Sequence, residues 1–252
     1  MKKSILLLAL LITAFACKDK QAGSEAAQEE ETTTEETPMK ETTNEPEWVV
    51  LFDGTSMDEW RGYGMDEMPA EWAIEEDALA FTPGEEGGKN IITRETYRNF
   101  ILSLEWKISE AGNSGIFWGV YEDEQFPEAY ETGAEIQVLD NTSHPDAKVA
   151  NGTHTAGSLY DMIAPPQDVT KPVGEWNECV LTVDYDKNIG SVQLNGIRLF
   201  DFPVKGEQWD NMVANSKFAT WPGFAKYEEG HIGLQDHSDK VWYRNIKIQR
   251  LD

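Results

Sequence analysis

Cysteine, histidine and positive charge are all scarce in this chain of 252 residues. There are two cysteines, Cys17 and Cys179. If the first is consumed at the N-terminus, the second has no intramolecular partner, and a disulfide framework is excluded. Lys and Arg number 21 against 46 Asp and Glu, for a net charge of −25. A surface this acidic repels phosphate backbones, which excludes nucleic acid as a partner and places no penalty on a neutral ligand such as a sugar. Long apolar runs are also missing. The exception, Ile5 to Ala16, is shorter than the roughly 20 residues a membrane-spanning helix needs. No long amphipathic helical pattern and no internal repeat is found.

What is present begins with a targeting segment. Lys2 and Lys3 precede the apolar run, which ends in "TAFA" before Cys17. A basic start and a small-residue end fit a secretory signal over 1–16, and the placement of Cys17 resembles a bacterial lipobox. Cys17 is then the expected lipidation site, with a plainly cleaved or uncleaved signal as the alternative. The expected location is exported: periplasmic or anchored at the outer membrane or cell surface, touching the membrane only through lipid. Residues 17–47 form a second zone of Glu, Thr, Ala and Gln, with ten acids against three lysines. So little apolar surface cannot offset the entropy of ordering, and a disordered acidic tether is expected.

From 48 to 252 the pattern changes to short β-branched and aromatic runs broken by Gly, Pro, Asn and Asp. Strands are expected at 48–52, 71–74, 78–81, 90–93, 99–108, 115–121, 134–139, 157–162, 175–184, 190–194, 197–200, 230–235 and 240–250. That spacing marks an all-β domain of two packed sheets, a sandwich or barrel. Asn195-Gly196 suits a tight hairpin turn. In "VWYRNIKIQRL" simple alternation places Trp242, Arg244, Ile246 and Ile248 on one face. The stretch 202–229 contains Trp209, Trp221 and Phe224 but little periodicity, and long loops of this kind are often functional. Cys179, on an apolar strand, reads as an inert packed thiol.

One strand carries the wrong residues for a core. In "AEIQVL", 134–139, Ile136 and Val138 suit the interior, while Glu135 and Gln137 alternate with them. With a period of two, the acid and amide face away from the core, toward a groove on the outer surface of one curved sheet. "GHIGLQDH", 230–237, repeats the design: Ile232 and Leu234 on one face, His231, Gln235 and His237 on the other.

The ordered succession "LFDGTSMDEW", "NSGIFW", "EIQVLDN", "HPDAK", "AGSLYD", "KPVGEWNEC", "LNG", "GHIGLQDH" and "VWYRNIKI" resembles the bacterial 3-keto-disaccharide hydrolase domain family over about 48–251. The resemblance implies a concanavalin-like jelly roll related to laminarinases. It also implies cleavage of a glycoside whose C3 hydroxyl a partner dehydrogenase has already oxidised. A C3 ketone acidifies the C2 proton, so elimination at C1 followed by hydration can break the glycosidic bond. That chemistry needs a base, an enolate stabiliser and a proton donor.

On that basis Glu135 and His237 are the expected catalytic residues. Gln137, Asp140, Lys148, Tyr160 and Gln235 are expected to bind sugar hydroxyls, with Trp118 as a stacking platform. A divalent metal ion held by Glu135, His144 and His154 would polarise the ketone. Each residue also has a purely structural reading: a solvated acid, turn-stabilising histidines, a core Trp118. A retaining glucanase on the same fold needs a second carboxylate, where this strand has Gln137 and Leu139. The remaining competitor is a non-catalytic carbohydrate-binding module.

Overall fold

Alternating apolar runs and turn residues build two antiparallel sheets in the computed structural model, which describes residues 47–84 and 89–251. The expected signal, Cys17 and nearly all of the tether lie outside the described residues. In chain order the strands are β1 (Trp48–Phe52), β2 (Trp60–Gly62), β3 (Trp72–Glu75), β4 (Ala78–Phe81), β5 (Ile91–Thr93), β6 (Phe100–Ile108), β7 (Asn113–Val120), β8 (Ala134–Leu139), β9 (Asn177–Asp184), β10 (Ile189–Leu194), β11 (Ile197–Phe202), β12 (His231–Leu234) and β13 (Val241–Arg250). One α-helix, α1 (Gly206–Ala214), lies in the aperiodic stretch after β11. The larger sheet runs β11-β10-β9-β6-β13-β4-β3, with β1 also paired to β13. The smaller runs β2-β5-β12-β7-β8. This is the expected two-sheet sandwich.

The core lies between the sheets. Ile116, Trp118, Ile136, Val138, Ile232 and Leu234 from the smaller sheet join one buried cluster with Leu102, Leu104, Leu181, Val183, Ile246 and Ile248 from the larger. Interdigitation of two inner faces is the main source of stability in such a fold. Cys179 belongs to this cluster, and burial pushes its thiol up to about 12, which makes it inert at neutral pH.

Three local expectations are corrected. Strand β13 does not alternate throughout. Val241 and Tyr243 face the core in its first half, and Ile246 and Ile248 in its second. Its register against β6 slips between Arg244 and Lys247, where Asn245 has φ 52°. A bulge adds one residue and inverts the phase. The short β2 was not anticipated. The stretch 157–162 is no ladder strand: it makes isolated bridges, Leu159 to Ile136 and to Ile163. It lies along the outer edge of β8, where Gln137 N–H donates to Ser158 O at 3.1 Å and Gly157 N–H to Gln137 O at 2.8 Å. An otherwise open sheet edge is thereby closed.

The β10–β11 hairpin turns on Asn195 and Gly196, both at positive φ. Asn195 also accepts from Glu178 N–H at 3.0 Å and donates to Val169 O at 2.9 Å and Asn177 Oδ1 at 2.8 Å. Asn195→Ala is expected to cost about 2 kcal/mol or more, since it strains the turn and removes these bonds. Asn195→Gly should cost less, because glycine accepts the backbone geometry. Equal losses for the two variants in chemical denaturation would show that the turn's conformation contributes nothing.

Candidate active site

The outer face of the smaller sheet is divided in two. One half is apolar: Ile92, Phe117, Val120 and Ala129 form a small buried cluster. The other half is polar and opens on a cavity of about 240 Å³ whose lining includes Asn113, Glu135, Gln137, Gln235 and His237. Strands β8 and β12 flank β7, so the two polar-faced segments contribute to one floor with a single strand between them.

Glu135 is the chemical centre of that floor. It is 6% exposed although it points away from the sandwich core. Space for its carboxylate comes from Gly115 on β7: a Cβ there would overlap Glu135 Oε1. The Gln137 amide takes the orientation in which its nitrogen donates to Glu135 Oε1 at 3.1 Å and to Ser114 O at 2.8 Å. Burial pushes the Glu135 pKa up to about 8, opposed only in part by the positive charge of Lys217. At neutral pH the Glu135 carboxyl therefore favours its protonated form. A strongly shifted group in a cleft is a frequent mark of function.

Lys217, Tyr160, Phe218, Trp221 and Tyr130 also line the cavity. The aromatic side chains form a continuous wall. Tyr160 lies 6.3 Å from Phe218, Phe218 5.1 Å from Trp221, and Trp221 5.9 Å from Tyr130, centroid to centroid. Phe218 stacks at 3.8 Å on the buried Phe224 behind it. Lys217 Nζ sits 4.1 Å above the Tyr160 ring. Asp161 fixes this arrangement: its Oδ2 accepts from Lys217 N–H at 2.6 Å, and its Oδ1 accepts from His154 Nε2 at 2.7 Å. His154 in turn stacks on Tyr160 at 4.3 Å.

Five of the expected residues thus meet at one cavity: Glu135, Gln137, Tyr160, Gln235 and His237. The others do not. Trp118, 2% exposed, points the opposite way into the core and packs on Phe202. β7 alternates, so Phe117 takes the outer position and Trp118 the inner one. Lys148 is exposed in a 3-10 turn and is not part of the cavity. Asp140 is a turn residue that accepts backbone N–H from Ala111, Thr142 and Ser143. Burial would raise its pKa, but these donors outweigh it and hold the carboxyl below its usual range.

The proposed metal set is likewise not assembled. His144 caps its own turn, with Nδ1 accepting from Asp146 N–H at 3.1 Å, and His154 is committed to Asp161. Among the described residues no group of three or more His, Cys, Asp or Glu is placed to hold a metal. The residues present do not fit that ion, and no step below is routed through one. Lys217, Tyr130 and Asn113 had no signal of their own in the sequence. Trp221 and Lys217 do lie in the aperiodic stretch 202–229 singled out as functional.

Comparison with known proteins agrees with this architecture. A curated protein of Bacteroides thetaiotaomicron named 3-keto-disaccharide hydrolase is 36% identical, with 81% of this chain and 79% of that protein covered. A crystal structure from Parabacteroides distasonis, whose name proposes a glycosyl hydrolase, superposes with a TM-score of 0.74 at 27% identity, over 81% of this chain and 94% of that one. A Bacillus subtilis protein of unknown function with a galectin-like fold superposes with a TM-score of 0.52 at 11% identity, over 81% and 94%. That last likeness concerns the fold alone. The model of the 3-keto-alpha-glucoside-1,2-lyase-like domain matches residues 47–249, and the chain belongs to that family.

Proposed function

We propose that this protein cleaves 3-keto-glycosides, 3-keto-disaccharides among them, by elimination across C1–C2 and rehydration of the product. The observation that carries the reading is the grouping of a proton-holding carboxyl, an imidazole and an ammonium around one ring-sized cavity. The family match and the name of the 36% identical relative support the substrate class.

In this reading His237 removes the C2 proton, and the C–H electron pair forms an enolate across C2 and C3. Lys217 stabilises the charge on the C3 oxygen. As the ketone re-forms, C2 becomes double-bonded to C1 and the C1–O bond breaks. The departing oxygen takes its proton from Glu135. Water then adds to C1, giving a proton to the Glu135 carboxylate, and the imidazolium returns a proton to C2. The sum is hydrolysis to the 3-keto sugar and free alcohol, with both groups restored. Without a second carboxylate at position 137 or 139, displacement by a protein nucleophile has no partner residue on this strand.

The substrate must be supplied by an enzyme that oxidises the C3 hydroxyl of a glycoside, which makes a dehydrogenase the upstream partner. Export as a lipoprotein anchored through Cys17 is part of the same proposal, supported by Lys2, Lys3 and the apolar run before Cys17.

Kinetic and stability measurements test the reading. Product analysis should show turnover of a 3-keto-glucoside and none of the unoxidised parent. Turnover of the parent would favour a glucanase, and sugar binding without turnover a binding module. Glu135→Gln should lower kcat by about 100-fold or more. In the wild type, kcat should fall above pH 8 as the carboxyl loses its proton; a rise toward pH 8 would make Glu135 the base instead. The same shift affects stability. The folded carboxyl keeps its proton to about 8, whereas the unfolded one loses it near 4.5, so its contribution declines as pH rises between these values. The melting temperature of Glu135→Gln should therefore gain on the wild type from pH 5 to pH 8.5. Finally, Gly115→Ala should lower kcat at least tenfold with the fold retained, because the added methyl must displace the Glu135 carboxylate. Unchanged kinetics would mean that the carboxylate's position is not critical.

A further inference from the structure

Most buried polar side chains on the sandwich find partners within the protein, but the cavity floor contains one that does not. Gln235 is 8% exposed, lines the cavity, and its Oε1 has no hydrogen-bond partner. Its backbone is pinned on both sides: its N–H donates to Gly115 O at 3.0 Å and its C=O accepts from Ser114 Oγ at 2.6 Å. The side chain is therefore presented from a fixed point. A buried acceptor without a donor destabilises the protein, and a ligand that brings a donor to it recovers that loss.

Among the described residues no protein group donates to it. The Gln137 amide is spent on Glu135 and Ser114 O. A bound ligand can bring the missing donor, and the chemistry of a 3-keto sugar narrows which group it is. The ketone at C3 has no proton to give. The C2 hydroxyl sits on the carbon that changes from tetrahedral to planar as its proton leaves, so its direction shifts during the reaction. A rigidly held acceptor suits a hydroxyl on a carbon that does not rehybridise.

We propose that Gln235 is the residue that selects the sugar, accepting a hydrogen bond from the C4 or C6 hydroxyl of the bound 3-keto-hexose. This rests on the proposed function and names the part of the substrate it reads. Gln235 thereby discriminates among sugars and not among leaving groups. The rim, where the exposed Tyr130 stands beside Trp221, is where the second half of the glycoside sits.

The test is a cycle of enzyme against substrate. Wild type and Gln235→Met, which keeps the length and removes the acceptor, are assayed on a 3-keto-glucoside and on its 4-deoxy and 6-deoxy analogues. Wild-type kcat/KM should fall by about 10- to 100-fold on one of the two analogues. Gln235→Met should lose that same factor on the parent and lose nothing further on that analogue. A wild type that treats all three alike overturns the assignment, whether or not the variant folds. So does a variant that loses the same factor on every substrate. If no 3-keto-glucoside is turned over at all, the functional reading fails. Calorimetric affinities of the wild type for the same three compounds then decide the Gln235 assignment independently, since equal affinities reject it and a tenfold or greater loss on one analogue upholds it.

Discussion

A carboxyl group carried on the outer face of a sheet, yet almost fully buried, is the constraint around which this site is organised. Burial alone makes Glu135 hold a proton to about pH 8, and four separate stretches of chain produce that burial. β7 supplies the space through Gly115, β8 supplies the Gln137 amide, and the 157–162 stretch covers the strand's open edge. The stretch after α1 brings Lys217 and the aromatic wall. Enclosing an ionisable group this way costs folding stability. The same strand offsets it: Ile136 and Val138 point the other way, into the sandwich core. The cost of that burial and its structural support thus alternate residue by residue from Ala134 to Val138.

That alternation is why so much was legible in the sequence. A period-two strand with Glu135 and Gln137 set between apolar neighbours encodes direction directly, and the structure honours it. The resemblance to a known family carried the rest of the fold. What failed did so where a single residue breaks the period or where long-range packing decides. Asn245 at positive φ inserts a bulge, and the inner face of β13 then passes from odd to even residue numbers. Trp118 follows the parity of β7, which sets Gly115 and Phe117 outward and Trp118 inward. Parity alone could have placed it, given the identity of either neighbour. His154 could not have been placed that way: its partner Asp161 and its ring neighbour Tyr160 are set by a turn with no periodic signature. Lys217 is positioned through the same aspartate.

The acidic character of the chain sharpens the contrast between surface and site. Near the cavity, Glu128 and Asp236 are both raised, chiefly by burial, and the charge of Asp236 adds to the shift on Glu128. Asn90 links them, donating to Glu128 Oε2 and accepting from Asp236 N–H. Acids crowded beside a half-buried pocket favour protonated forms of one another. The floor itself carries amides and a protonated carboxyl, with Lys217 the cation of the cavity lining. Such a surface attracts no anionic ligand over long range, and a neutral, hydroxyl-rich molecule loses nothing by entering.

The choice of an amide at position 137 follows from the same electrostatics. A carboxylate there would lie within hydrogen-bond reach of Glu135, and two acids at that separation cannot both ionise, so one would titrate far from neutrality. Retaining glycosidases accept that coupling because they need one carboxylate to attack and another to donate. In the proposed reaction the C3 ketone acidifies the C2–H bond next to the glycosidic carbon, so that bond becomes the electron source and no attacking carboxylate is needed. A single carboxyl with one well-defined titration is then sufficient, and a neighbour that donates hydrogen bonds without charge keeps it in place. The apparent mismatch in this strand, an acid beside an amide, fits the elimination proposed above.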